Sequence, residues 1–160
     1  MDLSGYLALF GESGAGLTDE EWIKHANDHL PPNLAALNAH HLDGSRDERW
    51  LRTSYEPGDA ARNFRQISGG TIAEMLDQSA THCGSFVTAA GCPTLSMTVT
   101  ILRAATASRY VATGRIVKLM RATVVLGADL EDETGTTIAT AVVVSQLVTD
   151  VGRLAYVPSR

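Results

Sequence analysis

No stretch of this 160-residue chain approaches the ~20 consecutive apolar residues that a membrane-spanning helix needs. Its start, Met1-Asp2-Leu3-Ser4-Gly5-Tyr6, has neither the basic n-region nor the long apolar h-region of a signal peptide. Cysteine is scarce. Cys83 and Cys92 are the only two, and they form neither a CxxC pair nor a Cys/His spacing of the kind that holds zinc. Basic residues are outnumbered, 13 Lys and Arg against 18 Asp and Glu. The resulting net charge of −5 leaves no dense cationic patch to neutralise a nucleic-acid backbone. A few local Arg or Lys side chains would still serve a small anionic ligand. Internal repeats and low-complexity segments are missing too. These absences describe a cytoplasmic chain with reduced thiols and no membrane or nucleic-acid partner.

What is present suits one globular domain. Hydrophobic residues make up 44% of the chain and charged residues 19%, ordinary proportions for a packed protein. A chain of this length buries ~70% of its unfolded surface. Thr18-Asp19-Glu20-Glu21 reads as a capping box, opening a short helix through Trp22, Ile23, Ala26 and Leu30 on the outside of the domain. Pro31-Pro32 stops it. A hairpin is expected next: Leu34–Leu42, a turn at Asp43-Gly44-Ser45, then Glu48–Tyr55.

From Gly70 to Thr88 the period becomes helical. Ile72, Met75, Leu76, Ala80, Cys83, Phe86 and Val87 share one face. The other face carries Glu74, Asp77, Gln78, Thr81, Ser85 and Thr88, a short-chained strip with only two formal charges. Such a strip is a poor solvent surface, so the helix is expected to be covered all round by protein or ligand. After the break at Gly91-Cys92-Pro93 the rest reads as strand: Leu95, Met97, Val99 and Ile101 alternate with polar neighbours. Further strands are expected at 109–119, 123–130 and 136–148, with a polar turn at residues 131–135. Helix, two strands, one long helix and four strands make an α+β fold, with the sheet curving around a single central helix.

The start of the long helix is the feature that points to chemistry. Gly69 and Gly70 let a ligand approach backbone N–H groups, and the helix dipole favours an oxyanion there. Glu74 fits a Thr71-x-x-Glu74 capping box and is set aside. Asp77 lies too far in to cap, and Asp is a poor mid-helix residue. It is therefore the acid expected to act, with Thr81 one turn on and within ~40° of it. Ser68 is equally well an N-cap or a substrate contact. Cys83 reads as a core thiol, Cys92 as a turn residue, and His82 as a core or surface residue. His40 and His41 alternate across a strand and cannot share a metal.

Ser68-Gly69-Gly70 before the helix, and Gly69, Asp77 and Thr81 at their spacing, make the chain resemble the hotdog-fold acyl-CoA thioesterases. The branch is the phenylacetic-acid-degradation type, which includes one kind of 4-hydroxybenzoyl-CoA thioesterase. The strand from Thr94 to Ala105 is similar to the family's next strand, and the resemblance runs from about Leu34 to Val148. Three positions depart from the family. Ser68 stands where it has His, Arg62 precedes Asn63 where it has Asn or Gln, and Met120-Arg121 replaces Gly-Arg.

The resemblance implies a hotdog domain over residues 34–150, with a helical extension at 1–33 and a tail at 151–160. It also implies hydrolysis of an acyl-CoA thioester to the free acid and coenzyme A. The Gly69 or Gly70 N–H would polarise the carbonyl, Asp77 would act as nucleophile or general base, and Thr81 would position Asp77 or a water. Asn63, Ser68 and Thr94 would contact substrate, and Arg103 and Arg121 would meet the coenzyme's phosphates. The site would be shared within a homodimer, or a dimer of dimers. No metal or redox cofactor is implied, coenzyme A entering only as part of the substrate. Two rival activities are a non-catalytic acyl-CoA-binding or partner-binding hotdog protein and an enoyl-CoA hydratase.

Overall fold

The computed structural model describes residues 4–151. The expected tail, apart from Val151, and the first three residues of the extension lie outside the described residues.

Four short helices open the chain: α1 Ser4–Leu7, α2 Gly11–Ala15, α3 Asp19–Asp28 and α4 Pro32–Ala36. The capping box of α3 is formed, with Glu21 N–H donating to the Thr18 hydroxyl and Thr18 N–H to the Glu21 carboxylate. Pro32 occupies the first turn of α4, where its missing N–H has no helical partner to lose. Residues 34–36 are therefore helical, which corrects the expected first strand. The hairpin begins later, as β1 His40–Ser45 and β2 Trp50–Tyr55, and turns at residues 46–49. Asp43 and Gly44 lie inside β1 beside an irregularity in its register. Gly44 fits there because a Cβ would come within 2.9 Å of the Phe86 ring and the Trp50 carbonyl. Close packing, not a turn, requires this glycine.

A two-stranded ribbon, β3 Arg62–Asn63 and β4 Gln66–Ile67, leads into the long helix α5, Gly69–Thr88. Four long strands follow: β5 Thr94–Ile101, β6 Tyr110–Leu119, β7 Thr123–Asp132 and β8 Thr137–Gln146. They fall where the alternation of the sequence puts them. The six main strands form one antiparallel sheet in the order β1-β2-β6-β7-β8-β5. Thus β5, although it directly follows the helix, is an edge strand.

The expected face of α5 packs on this sheet. Ile72, Met75, Leu76 and Ala80 share one core with Ala112, Leu126, Ala128, Ala141 and Val143. At β6 the helix comes so close that a Cβ on Gly114 would lie 2.2 Å from the Ser79 carbonyl oxygen. The α5 C-cap, Ala89, takes the left-handed conformation (φ 51°), and its carbonyl accepts from Gly11 N–H at 2.8 Å.

The N-terminal helices do more than decorate the outside. Leu9, Phe10, Trp22 and Ala26 form a second core with Leu51, Cys83 and Phe86, at the far end of α5. The Trp22 indole N–H donates to the Leu9 carbonyl at 3.2 Å. Arg46 clasps this region, donating to the Phe86 carbonyl at 2.8 Å, the Gly14 carbonyl at 3.1 Å and the Leu17 carbonyl. Cys92, read as a turn residue, is buried: a Cβ on Gly84 would meet its sulfur at 2.8 Å.

Candidate active site

A helix leaves its first N–H groups without internal partners, and the start of α5 distributes them unequally. Ser68 is the N-cap, its hydroxyl accepting from Thr71 N–H at 3.2 Å and lying 2.9 Å from the Thr71 hydroxyl. The Ile72 N–H donates to the Ser68 carbonyl. Those of Gly69 and Gly70 have no protein acceptor among the described residues, and both glycines are exposed. A Cβ on Gly70 would meet nothing within 4 Å, and one on Gly69 would only graze Ile101 at 3.4 Å. Nothing within the protomer demands glycine here. The pair leaves two polarised donors open to a ligand.

Two turns on, Asp77 is half-buried, and its Oδ1 accepts from the Thr94 hydroxyl at 2.7 Å. Thr94 opens β5, so the end of α5's second turn and the start of the edge strand are tied at the carboxylate. Burial pushes the Asp77 carboxyl above its usual range, the Thr94 hydrogen bond pulls it back, and the charge of Glu74 pushes it up again. The direction favours a group that can take a proton.

Two neighbours differ from expectation. The Thr81 hydroxyl does not reach the carboxylate: it donates to the main-chain carbonyl of Asp77 at 2.8 Å, as Ser and Thr often do within helices. The hydroxyl on the carboxylate is that of Thr94. Glu74 is not part of a capping box, because the cap is Ser68. Its Oε1 accepts from Asn33 at 2.9 Å and from Gln78 at 3.1 Å, one turn from Asp77. Its influence on Asp77 was hidden by the Thr-x-x-Glu pattern, which holds equally for any Thr and Glu so spaced.

Gly69 and Asp77 are eight residues apart on one helix, a rise of about 12 Å. A single chain therefore cannot bring its own helix start and its own carboxylate to the same reacting atom. The ends of the sheet repeat this separation. Ile101, beside Gly69, pairs with Ala139 at one end of β8, whereas Thr94, on Asp77, pairs with Ser145 at the other. Arg103 follows β5 at the Gly69 end, where it acts on the charge of Asp132. Arg121 lies in the β6–β7 turn at the Asp77 end, two residues before Thr123, which pairs with Gln146. Both arginines are exposed and are not brought together within one protomer. Asn63 is exposed in the β3–β4 ribbon, while the neighbouring Arg62 is engaged with the Ala107 carbonyl at 2.8 Å.

The two cysteines and the buried histidines stand apart from this chemistry. Burial pushes the Cys83 thiol up to about 12, as expected of a packed core thiol. His82 Nδ1 donates to the Gln78 carbonyl at 2.8 Å, which leaves Nε2 to accept from the Tyr6 hydroxyl at 3.2 Å. Among the described residues, no helix is long and apolar enough to cross a membrane.

Comparisons with known proteins bear on this arrangement. Residues 66–139, from β4 into β8, match the family model of the thioesterase superfamily. No curated protein matches the chain. Among solved structures, a phenylacetic acid degradation-related protein from Ralstonia eutropha is 23% identical with a TM-score of 0.70, over 73% of this chain and 90% of that one. The E. coli PaaI protein of the phenylacetic acid degradation operon is 16% identical with a TM-score of 0.70, over 79% and 91%. A Streptococcus mutans protein, solved bound to acetyl CoA, is 19% identical with a TM-score of 0.63, over 70% and 90%. At these identities the structural likeness establishes the fold.

Proposed function

We propose that this chain, a hotdog-fold protein similar to the thioesterase superfamily across residues 66–139, hydrolyses acyl-CoA thioesters to the free acid and coenzyme A. The observation that carries this reading is the pairing of two helix-start donors, without an acceptor among the described residues, with a half-buried, Thr94-held carboxylate on the same helix. The Gly69 and Gly70 N–H groups suit the carbonyl oxygen of a thioester as it becomes an oxyanion. Asp77 either takes a proton from the attacking water or itself adds to the carbonyl carbon. The tetrahedral intermediate then collapses and the C–S bond breaks. The sulfur takes the proton held by Asp77 in the first version and one from solvent in the second, so that coenzyme A leaves as the thiol. In the second version water hydrolyses an Asp77 anhydride to finish the cycle.

Two copies are needed, because about 12 Å separates donors and acid in one copy. The edge strand supports a way of joining them. Met97, Val99 and Ile101 of β5 lie opposite the inward-facing Val143, Ala141 and Ala139, yet Met97 and Ile101 are exposed. A second copy, pairing its β5 antiparallel to this one about a two-fold axis, would cover them. It would also set its Gly69 and Arg103 at the Asp77 and Arg121 end. In that arrangement Arg103 of one copy and Arg121 of the other serve the coenzyme's phosphates, and Asn63 and Ser68 flank the acyl carbonyl. A solved relative that holds acetyl CoA supports the substrate class.

One observation favours a second reading. Ser68 is occupied as a cap and does not stand in for the histidine of the family pattern, so an acyl-CoA-binding protein without turnover is the rival. Hydration of an enoyl thioester has less support, since His82 is bonded away from Asp77.

Thiol release from a panel of acyl-CoA substrates tests the reaction, and a mixing experiment tests the shared site. Asp77→Asn and Gly69→Pro are each expected to be inactive. Mixed and re-associated, they should regain about a quarter of wild-type activity, since half of the random dimers carry one intact site of two. Binding of acyl-CoA without thiol release by the wild type would favour the rival, and no recovery on mixing would refute the shared site.

A further inference from the structure

A cavity of about 400 Å³ lies against α5 beside the candidate site. On one side it begins at Gln78 and Thr81, next to Asp77, and at Pro93, next to the Thr94 that holds the carboxylate. It continues along the helix to His82 and Ser85, so it extends about 12 Å from Asp77 at the rise of an α-helix. Its opposite wall is made by Tyr6, Leu7 and Phe10, from outside the segment that matches the thioesterase model.

That wall is fixed in place. The Tyr6 hydroxyl meets His82 Nε2 at 3.2 Å, the Tyr6 and Phe10 rings pack edge-on at 5.3 Å, and the His25 ring bonds the Gly5 carbonyl at 2.7 Å. Burial pushes the Tyr6 phenol up to about 12 and lowers His82, so both stay neutral. The polar atoms within the wall are thus bonded to each other or to backbone, and the cavity presents mainly carbon to an occupant. Its volume falls within the ~300–1,000 Å³ of pockets that take small ligands.

We infer that this cavity receives the apolar acyl tail of the substrate, and that the N-terminal extension, through Leu7 and its neighbours, sets the longest tail accepted. The inference rests on the thioesterase reading for its substrate and on the cavity for its site. A tail entering beside Asp77 finds an apolar route along α5 to the wall formed by the extension. Leu7 is the informative residue because it lines the cavity but belongs to neither hydrophobic core.

The test uses straight-chain acyl-CoAs from acetyl to palmitoyl with wild type, Leu7→Ala and Leu7→Trp. The readout is the ratio of kcat/KM for each tail to that for acetyl-CoA within the same protein, which cancels any loss of folded enzyme. One methylene accepted or refused in an apolar pocket changes kcat/KM by about 10- to 200-fold. Leu7→Trp should therefore lower the ratio for the longest accepted tails by about tenfold or more, and Leu7→Ala should raise it for tails beyond the wild-type ceiling. Unchanged length profiles in both variants would overturn the inference while leaving the thioesterase reading intact. If the wild type releases no thiol from any substrate, the affinities of the same acyl-CoAs for the three proteins are compared. A matching shift in length preference then sustains the pocket although the hydrolytic reading fails, and its absence overturns the pocket as well.

Discussion

Replacing Asp77 by Asn should separate function from stability with opposite signs. The two side chains have the same shape, and the amide oxygen can still accept from Thr94, whose hydroxyl lies 2.7 Å from Oδ1. Removing a general base costs typically 10²–10⁴-fold in rate, and loss of a nucleophile costs at least that. In free energy this is about 3–5 kcal/mol of transition-state stabilisation, at about 1.4 kcal/mol per decade. Stability should move the other way. Burial and Glu74 hold the Asp77 carboxyl above its ordinary range, so the folded protein binds this proton more tightly than the unfolded chain does. That group stabilises the fold while protonated, and the contribution is lost as pH rises through the raised value. At neutral pH the wild type carries a half-buried carboxylate, and the Asp77→Asn variant carries a neutral amide in its place. The variant should then melt no lower than the wild type at pH 7, and any advantage should shrink as the medium is acidified into the carboxylate range. Thiol-release kinetics and thermal unfolding between about pH 4 and 8 read both effects. Turnover within tenfold of wild type, or a pH-independent loss of stability, would refute the reasoning.

Glu74→Gln keeps an oxygen for Asn33 and Gln78 but removes the charge that raises Asp77, so the acid limb of kcat/KM against pH should move to lower pH. Gly69→Pro removes one helix-start donor at a position where proline is tolerated, after a Ser68 that is already extended (ψ 149°). It should leave the melting temperature within a few degrees of wild type while lowering kcat by about 10²–10³-fold, the usual cost of an oxyanion donor. Gly114→Ala would set a methyl 2.2 Å from the Ser79 carbonyl oxygen and must push β6 and α5 apart. Denaturant unfolding should show a loss of about 3 kcal/mol or more, at the upper end for an overpacked core, and a loss under about 1 kcal/mol would refute the close approach.

The long helix and the four strands after it were legible because each buries one face and so repeats with its own period. Ile72, Met75, Leu76 and Ala80 mark the helix face, and Val124, Leu126, Ala128 and Leu130 mark the face of β7. The capping box of α3 was legible for a related reason, since both of its hydrogen bonds lie within four residues. Reading failed where a choice was not local. Leu34, Ala35 and Ala36 favour a helix by propensity, but five residues are too few to show a period, and Pro32 suits the first turn of α4. Asp43-Gly44-Ser45 has the composition of a turn, but Gly44 is there to admit Phe86 from the distant helix α5.

The site divides in the same way. By itself the sequence determined the glycine-opened helix, an acid two turns in and the strand that follows, because these depend on periodicity and spacing along one chain. Only the tertiary structure decided which hydroxyl holds Asp77. Thr81 is nearer in sequence, but its proton goes to a carbonyl of its own helix, while Thr94 crosses from the edge strand to the carboxylate. It also decided that Glu74 acts on Asp77, and that Tyr6, Leu7 and Phe10 wall the adjoining cavity. Pairings between distant segments leave no period in a sequence, since they are fixed by how helix and sheet pack rather than by how each one winds.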